Sequence, residues 1–545
     1  MMDRPDVREG TAGRVRMRTL PALVLSALVA AGACSRPVDP GVPPRDPVAV
    51  DSGLLAGRVL PSGVHAYLGV PYAEPPVRDL RWKEPQPITP WNGVYHADRK
   101  PPMCVQRMRA HDINHYFGEE APCEDCLYLN LWVPPTATEG QKLPVLVFIY
   151  GGGYTQGTIN LANYSGEHLA RKGVLYAAIA YRVGALGFMA HPELSAESPR
   201  GTSGNWGLLD QVAALQWIQR NIGKFGGDPG NVTIMGQSAG AASVSFLQSS
   251  PLAQGLFHRV FGMSANAIVS GPGRTSVKED AEQAGVQFQA ALKAESIHAM
   301  RQLPGDVILA AQHTEGAPRF QPVVDGYFLP AMPKQIFDEG RQNDVPAMLG
   351  FMRDESFRGP LRAAKTVRDY QEAARQLYGD RASEFLALYP AATDADVPEA
   401  AAAAAREGGM QTTMRAWALA QSRTGKAPVF VNMFSRVHPY VEGVVFSDHD
   451  PATVGAYHTG EVPYWFQTQD AYNMFRPTRN WTPYDRELAE KLSDALIAFA
   501  RTGDPNTSAI TWPRYDPDNE QMMEFGDAIR VVQMESKRLD FFLAR

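Results

Sequence analysis

Continuous apolar segments alternate with amphipathic segments along the chain. Residues 144–150 and 174–180 are almost entirely apolar, which is typical of strands buried on both faces of a sheet. Gly223 is predicted to end a helix whose apolar side chains recur at helical spacing: Leu208, Val212, Leu215, Ile218 and Ile222. Strands that alternate with helices predict an α/β architecture.

A short β-branched segment, residues 232–234, leads into Gly-Gln-Ser-Ala-Gly at 236–240, and a helix-compatible segment follows. A strand, a sharp turn and a helix are the context that a G-x-S-x-G nucleophile elbow requires. The glycines let neighbouring backbone approach the turn, so that Ser238 can stand at its tip. A serine in that position can attack a carbonyl carbon if a base takes its proton. The motif therefore predicts that Ser238 is a nucleophile.

Charge and length limit the classes of partner and the number of domains. The formal net charge is −6 over 545 residues. No basic cluster with interleaved aromatic residues occurs in the sequence, so nothing indicates a nucleic-acid partner. No long polar linker divides the chain after residue 50. Because large α/β enzymes can form one unit of this size, we predict one catalytic domain over residues 51–545.

Residues 1–33 have the organisation of an export signal. Arginines precede an apolar stretch, residues 20–33, which ends in small residues and is too short to span a membrane comfortably. Cys34 follows Gly-Ala and resembles a bacterial lipoprotein acceptor, so we predict lipid attachment at Cys34, with plain cleavage after Ala33 as the alternative. Residues 34–50 are rich in proline and would form a semi-rigid tether. We expect the protein in the bacterial periplasm, held to a membrane by the lipid, or secreted.

Several segments resemble one enzyme family. Residues 204–240, which include the elbow, closely resemble the type-B carboxylesterase and cholinesterase family. Further segments look like signatures of the same family: 67–76, 124–130, 181–188 and 499–506. The similarity extends from about residue 51 to about residue 535. It implies the α/β-hydrolase fold, in which helices flank a large, mostly parallel central β-sheet.

The resemblance also implies a catalytic triad in the chain order serine, acid, histidine. Glu355 lies in a segment similar to the family's acid loop, and Asp354 is the alternative acid. His458 lies in a segment similar to the family's histidine loop, and His449 is its nearest competitor. His458 would accept the proton of Ser238 while the carboxylate orients the imidazole. This mechanism needs no metal and no organic cofactor.

A glycine-rich segment at 150–154 follows a predicted strand and matches the family's oxyanion loop. The resemblance assigns the oxyanion hole to the backbone N–H groups of Gly152, Gly153 and Ala239. Side chains at Gly152 or Gly153 would be expected to block the approach of the substrate carbonyl. Loss of one such donor typically raises the barrier by about 3–4 kcal/mol.

The family's loop disulfide would map onto Cys104 and Cys126. In the chain-entropy model, a bridge across a loop of this length contributes roughly 3 kcal/mol to stability. Cys123 is then left over. Two alternatives remain open, namely pairing of Cys104 with Cys123 and a metal or redox role for the Cys-x-x-Cys spacing at 123–126.

The resemblance implies a serine-dependent carboxylesterase of broad specificity, which acts on small-molecule esters through an acyl-enzyme. Gln237 stands where many family members have glutamate, and Tyr116 lies near the position of the cation-binding tryptophan of cholinesterases. Both differences weaken the attraction of a cation, although Glu461 keeps the family's other carboxylate near the site. We therefore predict a general carboxylesterase rather than a choline esterase. The alternatives are an interfacial lipase or polyester hydrolase and a non-catalytic interaction protein.

Overall fold

The computed structural model describes residues 47–108, 120–269, 275–355 and 360–544. The strands in this part of the chain are β1 (Val48–Val50), β2 (Gly53–Ala56), β3 (Arg58–Val59), β4 (His65–Pro71), β5 (Val94–His96), β6 (Met103–Cys104), β7 (Pro122–Cys123), β8 (Tyr128–Val133), β9 (Leu143–Ile149), β10 (Leu175–Ile179), β11 (Gly227–Gln237), β12 (Arg259–Met263), β13 (Ser276–Val277), β14 (Val323–Val324), β15 (Ala347–Met352), β16 (Val429–Phe434), β17 (Gln521–Phe525) and β18 (Ile529–Gln533). Most of them belong to one sheet, and the others form three small sheets.

The central sheet has eleven strands in the order β18-β17-β16-β15-β12-β11-β9-β10-β8-β4-β3. Every neighbouring pair from β17 across to β10 is parallel. The pairs at the two ends of the sheet are antiparallel. The predicted large, mostly parallel sheet is therefore confirmed, with antiparallel strands at both edges.

The two apolar segments of the sequence form adjacent strands at the centre of this sheet. Strand β9 is buried from its second residue onward, and every residue of β10 is buried. Strands β9, β11, β12 and β15 are consecutive neighbours and run parallel. Because the carboxyl ends of parallel strands meet at one edge of a sheet, the loops after these four strands lie side by side, where open α/β sheets bind ligands.

Helices alternate with the strands and pack against the sheet, as α5, α14 and α16 do. The α-helices of the described residues are α1 (Glu167–Arg171), α2 (Gly184–Phe188), α3 (Pro192–Glu197), α4 (Trp206–Asn221), α5 (Ala239–Ser249), α6 (Lys278–Ala291), α7 (Ile297–Gln302), α8 (Gly305–Ala311), α9 (Pro333–Asp338), α10 (Pro360–Ala363), α11 (Val367–Tyr378), α12 (Ala382–Leu388), α13 (Val397–Arg406), α14 (Thr412–Thr424), α15 (Val462–Trp465), α16 (Pro483–Thr502) and α17 (Ser536–Leu543). A π-helical turn, Glu407–Gln411, joins α13 to α14. The predicted α/β architecture is confirmed.

Helix α4 follows the predicted pattern, but it does not end where the sequence suggested. Its apolar positions are buried, as the helical spacing predicts. The α-helix ends at Asn221 and continues as a 3₁₀ turn, Ile222–Phe225, which contains the predicted stop, Gly223. Gly226 ends this turn with a φ of 89°, a conformation that favours glycine. Either glycine could have served as the cap, and spacing alone did not distinguish them.

All described residues fall within one compact unit, which suits a single catalytic domain. The folded part begins slightly before the expected boundary, because Val48–Val50 pairs with Gly53–Ala56 and so includes the end of the predicted tether. The predicted signal at 1–33 and the candidate lipid site Cys34 lie outside the described residues. Within the described ranges, no helix is long and apolar enough to span a bilayer.

Candidate active site

Ser238 lies at the sharp turn between strand β11 and helix α5. Its φ of 57° and ψ of −127° fall in a region that residues other than glycine rarely adopt. The Ser238 N–H donates to the carbonyl of Met263 at the end of β12, 2.8 Å away. A side chain at Gly236 would overlap the backbone of Gly240, and one at Gly240 would overlap the carbonyl of Ile149. The turn therefore needs glycine on both sides of the serine.

His458 and Glu355 form a short hydrogen bond. Nδ1 of His458 donates to Oε2 of Glu355 over 2.5 Å; the Glu355 side chain is 1% exposed and that of His458 is 37% exposed. The second carboxylate oxygen, Oε1, accepts from the Met352 N–H at 2.7 Å and from the Ser264 hydroxyl at 3.0 Å. These contacts fix the carboxylate and leave Nε2 of the imidazole as an acceptor.

Two buried carboxyl groups influence the protonation of this site. Burial lowers the pKa of His458, but the hydrogen bond and negative charge of Glu355 outweigh burial, so this pKa lies above its ordinary value. Glu461 is only 3% exposed, and its two oxygens have no hydrogen-bond partner among the described residues. Burial, followed by repulsion from Glu355, raises the pKa of Glu461 to about 8. Glu461 is therefore mainly protonated and uncharged near neutral pH.

The side chain of Gln237 hydrogen-bonds to the other imidazole nitrogen of His458. Its Nε2 lies 3.2 Å from Nε2 of His458, and the amide N–H is the donor because His458 offers its lone pair there. Ser238 Oγ makes no hydrogen bond within the described part of the chain. Ser238 and His458 nevertheless line the same cavity. Bonds between a nucleophile and its base are often long in enzymes without substrate and shorten when substrate binds.

The glycine-rich loop that follows β9 packs directly against the elbow. A Cβ at Gly151 would lie 2.5 Å from the Gln237 carbonyl oxygen and 2.7 Å from the Cβ of Ser238. At Gly152, a Cβ would overlap the carbonyl of Gln156 within the same loop. The sequence interpretation was that a side chain at 152 would obstruct the substrate, whereas the structure shows that the loop's own backbone already excludes it.

Three backbone donors near the serine are unoccupied. The N–H groups of Gly152, Gly153 and Ala239 donate no hydrogen bond within the ranges that the structure describes. Gly152 and Gly153 have φ values of 111° and 63°, which glycine adopts without strain. Ala239 is the first residue of α5, where an N–H has no partner within the helix. Such a group of donors can stabilise an oxyanion.

The alternative acid and base from the sequence analysis are engaged elsewhere. Oδ2 of Asp354 accepts from the guanidinium of Arg353 at 2.9 Å. Nδ1 of His449 lies 2.8 Å from Oδ1 of Asp448. Neither Asp354 nor His449 hydrogen-bonds to His458 or Glu355 within the described ranges. The pair preferred from the sequence is the one that meets at this site.

A cavity of about 710 Å³ opens beside the serine. Its apolar lining includes Phe246, Phe320 and Met410, and its polar lining includes Gln312, His313, Thr314, Arg319 and Gln321. This volume lies in the usual range for small-molecule sites.

A disulfide joins Cys104 to Cys126, the pair that the family resemblance implied. The alternative pairing of Cys104 with Cys123 is therefore not formed. Cys123, which the resemblance left over, is not a free thiol. The described residues contain no cluster of side chains that could hold a metal ion, so the suggested metal role of the Cys-x-x-Cys spacing finds no ligands there.

Three features of the site were absent from the sequence interpretation. Ser264 holds the Glu355 carboxylate, Gln237 contacts the imidazole of His458, and residues 312–321 line the cavity. The position of Ser264 directly after a buried strand could have indicated its role, because the carboxyl ends of neighbouring parallel strands converge. The segment 312–321 carries no comparable signal. Tyr116 lies outside the described residues.

Comparisons with known proteins show the family to which the chain belongs. A family model described as the carboxylesterase family matches residues 45–542. The fumonisin B1 esterase of Sphingopyxis macrogoltabida is 34% identical over 491 residues, covering 88% of this chain and 86% of that protein. The para-nitrobenzyl esterase of Bacillus subtilis (strain 168) is 31% identical over 492 residues, covering 86% of this chain and 93% of that protein.

Solved structures show the same likeness. One structure of PNB esterase superimposes with a TM-score of 0.75 at 29% identity, over 91% of this chain and 99% of that chain. A structure of a thermophilic PNB esterase superimposes with a TM-score of 0.74 at 30% identity, with the same coverage. The chain therefore belongs to the carboxylesterase family and is a carboxylic ester hydrolase with the α/β-hydrolase fold.

Proposed function

We propose that the cavity contains the machinery of a serine esterase: a triad of Ser238, His458 and Glu355, and an oxyanion hole of the Gly152, Gly153 and Ala239 N–H groups. The observation that carries this proposal is the 2.5 Å His458–Glu355 hydrogen bond beside a serine held at a strained elbow. Charge-assisted bonds of this length are strong and directional. The backbone N–H groups of Gly152, Gly153 and Ala239 would stabilise the negative charge of the oxyanion.

The first half of the reaction forms an acyl-enzyme. Ser238 Oγ attacks the ester carbonyl carbon while its proton passes to Nε2 of His458. The resulting oxyanion accepts hydrogen bonds from the backbone donors, and Glu355 stabilises the imidazolium. The imidazolium then protonates the alkoxide, and the alcohol departs as the tetrahedral intermediate collapses.

The second half of the reaction regenerates the serine. A water molecule gives its proton to Nε2 of His458 and attacks the acyl carbonyl carbon. The oxyanion of the second tetrahedral intermediate accepts hydrogen bonds from the same backbone N–H groups. Its collapse breaks the bond to Ser238 Oγ, which recovers the proton from the imidazolium, and the carboxylic acid is released.

Gln237 must give up its contact with His458 before the serine can use the base. The amide donates to the same nitrogen that would accept the Ser238 proton. A hydrogen bond between neutral groups contributes only about 1 kcal/mol net, so the exchange of Gln237 for Ser238 is a small step. Substrate binding, which brings the reacting groups together, is the event that would favour it.

We propose that the enzyme hydrolyses a broad range of carboxylic esters and prefers those whose alcohol group carries no positive charge. Gln237 carries no charge, and the pKa of about 8 leaves Glu461 mainly neutral near pH 7. Neither position therefore supplies a full negative charge to attract a quaternary ammonium near pH 7. Choline esters should accordingly show lower kcat/KM than aryl or short acyl esters. The opposite ranking would contradict this preference.

The names of the relatives fit a broad esterase. They name three different substrates: fumonisin B1, para-nitrobenzyl esters and, in Pseudarthrobacter oxydans, phenmedipham. The 710 Å³ cavity is large enough for bulky substrates of this kind. These names support neither an interfacial lipase nor a non-catalytic interaction protein.

We further propose that the enzyme is exported and held to a membrane through lipid on Cys34. The basic and apolar organisation of residues 1–33 supports export. The Cys104–Cys126 disulfide suits an oxidising compartment. Residues 34–50 would then separate the catalytic domain from the bilayer.

Kinetics of point variants test the proposed triad. Ser238→Ala should reduce kcat by several orders of magnitude, and Glu355→Gln by about 10³–10⁴-fold, because the imidazole loses its oriented, charged partner. Circular dichroism spectra should remain those of the wild type. Asp354→Asn is the matched control, because it changes the neighbouring acid and should retain most activity. A larger loss in Asp354→Asn than in Glu355→Gln would overturn the assignment.

A further inference from the structure

One part of the cavity wall belongs to neither the triad nor the oxyanion loop. It consists of residues 312–321, between helix α8 and strand β14, and we call it the 312–321 wall. Most of its cavity-lining side chains are polar: Gln312, His313, Thr314, Arg319 and Gln321. The proposed hydrolysis uses none of them.

The 312–321 wall is fixed at both ends. Oε1 of Gln312 accepts a hydrogen bond from the Ala185 N–H at 2.7 Å. At the other end, Phe320 is 8% exposed and packs edge-to-face on Phe288, with 5.0 Å between ring centroids. Polar side chains between these two anchors therefore project from a defined backbone, as specificity-determining groups must.

The wall brings positive charge to a cavity that has no described negative charge to balance it. Arg319 forms no ion pair with any described residue. Among the described residues that line the cavity, none is Asp or Glu. Burial lowers the pKa of His313, and the nearby charge of Arg107 lowers it further. His313 is therefore a neutral hydrogen-bonding group near pH 7, and Arg319 supplies the charge of the wall.

An unpaired, exposed guanidinium in the wall of the cavity that contains Ser238 favours anionic ligands. Its planar fork of N–H donors matches the two oxygens of a carboxylate. The chain as a whole carries a net charge of −6, so the positive charge at this cavity is a local feature and not a property of the general surface.

We propose that the enzyme favours esters that carry a second, ionised carboxylate, and that Arg319 binds this carboxylate while Ser238 attacks the ester carbonyl. Arg107 adds attraction at longer range. This inference rests on the proposed function, because it requires Ser238 and His458 to be the reacting groups. It adds a substrate class that the triad alone does not specify.

Matched pairs of esters test this preference. One pair is 4-butyryloxybenzoate and its methyl ester, in which the carboxylate is on the alcohol side and cannot reach the reacting carbonyl. The other pair is the 4-nitrophenyl monoester of adipic acid and 4-nitrophenyl hexanoate, in which the carboxylate is on the acyl side. For each pair, the readout is the ratio of kcat/KM for the charged ester to kcat/KM for the neutral ester, in the wild type and in Arg319→Gln.

We expect Arg319→Gln to lower this ratio by about two- to five-fold in at least one pair, as for an exposed charge pair. Arg319→Lys should retain part of the ratio, because it keeps the charge but loses the fork. Arg368→Gln is the matched control: it removes the same charge from a side chain that is 92% exposed and outside the cavity, and should leave the ratio unchanged. Added salt should lower the ratio more in the wild type than in Arg319→Gln.

Equal ratios in the wild type and Arg319→Gln, in both pairs, would overturn the inference. So would a loss of the same size in Arg368→Gln. If Ser238 hydrolyses the neutral esters but Arg319→Gln leaves the charged-to-neutral ratio unchanged, the proposed substrate class is wrong and the proposed function still holds. If the wild type hydrolyses neither ester of either pair, both the proposed function and this inference fail.

Discussion

At the scale of single residues, the environment of His458 is decided by which neighbours carry charge. Glu355 accepts the hydrogen bond from Nδ1, the neighbouring Gln237 carries no charge, and the nearby Glu461 is mainly protonated near neutral pH. In the proposed mechanism, one carboxylate therefore stabilises the imidazolium that forms in the transition state. The identity of residue 237 thus affects both the basicity of the imidazole and the attraction of charged substrates.

The pH dependence of activity follows from the pKa of His458. This pKa is raised, and the histidine acts as a base only when it is deprotonated, so kcat/KM for a neutral ester should fall as the pH drops through that value. The half-maximal point should lie above the ordinary value of about 6.5. The measurement is kcat/KM for the neutral ester in well-buffered solutions across the pH range. A flat profile between about pH 5 and pH 8 would contradict the role of His458 as base.

Gln237→Glu should move this profile. A carboxylate in place of the amide that contacts Nε2 would favour the imidazolium, so the pKa of His458 should rise and the acidic limb should shift to higher pH. The ratio of kcat/KM for a choline ester to that for a neutral ester should also increase. Gln237→Met is the control, because it removes the hydrogen bond and adds no charge. An identical limb in Gln237→Glu and Gln237→Met would show that charge at 237 does not act on the base.

At the scale of elements, the site is built where four parallel strands end. The loops after β9, β11, β12 and β15 carry the glycines of the proposed oxyanion hole, Ser238, Ser264 and Glu355. The histidine arrives from a different part of the chain, in the loop before α15. Regular strand pairing therefore sets the relative positions of most of the chemistry, and the residues next to the strand ends need special backbone conformations.

Glycine-to-alanine substitutions test how tightly the elbow is packed. Gly240→Ala places a methyl group against the Ile149 carbonyl, so it should destabilise the fold by about 1–3 kcal/mol and lower kcat. Gly223→Ala is the matched control, because nothing lies within 4 Å of the added Cβ, and its stability should change by less than about 1 kcal/mol. Denaturant unfolding followed by circular dichroism provides the comparison. Equal stabilities of the two variants would refute the close packing of the elbow.

Sequence patterns predicted the elements better than the contacts between them. The apolar segments of β9 and β10 and the strand-turn-helix around Ser238 are local signals, so they were recognised without a structure. The contact between Gln237 and His458 joins distant parts of the chain, as does the approach of residues 312–321 to the cavity. The end of the 3₁₀ turn after α4, at Gly226, depended on which glycine adopts a left-handed conformation, and composition does not reveal this choice.

At the scale of the whole molecule, the proposed lipid tether would place an esterase at a membrane surface. The described residues form one compact unit that begins shortly after the predicted tether. A single lipidated cysteine would attach this unit without any spanning helix. The enzyme would then encounter substrates that approach or cross the cell envelope.

Cell fractionation tests the tether. Cys34→Ala should move the enzyme from the membrane fraction to the soluble fraction, because the substitution removes the proposed lipid acceptor. Ser35→Ala, which changes the next residue, should leave the enzyme in the membrane fraction. Unchanged fractionation of Cys34→Ala would refute lipid attachment at this residue.

The most direct test of the central claim is covalent labelling of the nucleophile. An organophosphonate carrying a good leaving group should add once per chain, and peptide mass spectrometry should locate the adduct on Ser238, because only a serine with an activating base reacts in this way. Ser238→Ala should not label, and Glu355→Gln should label more slowly. An adduct on another residue, or undiminished ester hydrolysis by Ser238→Ala, would contradict the account.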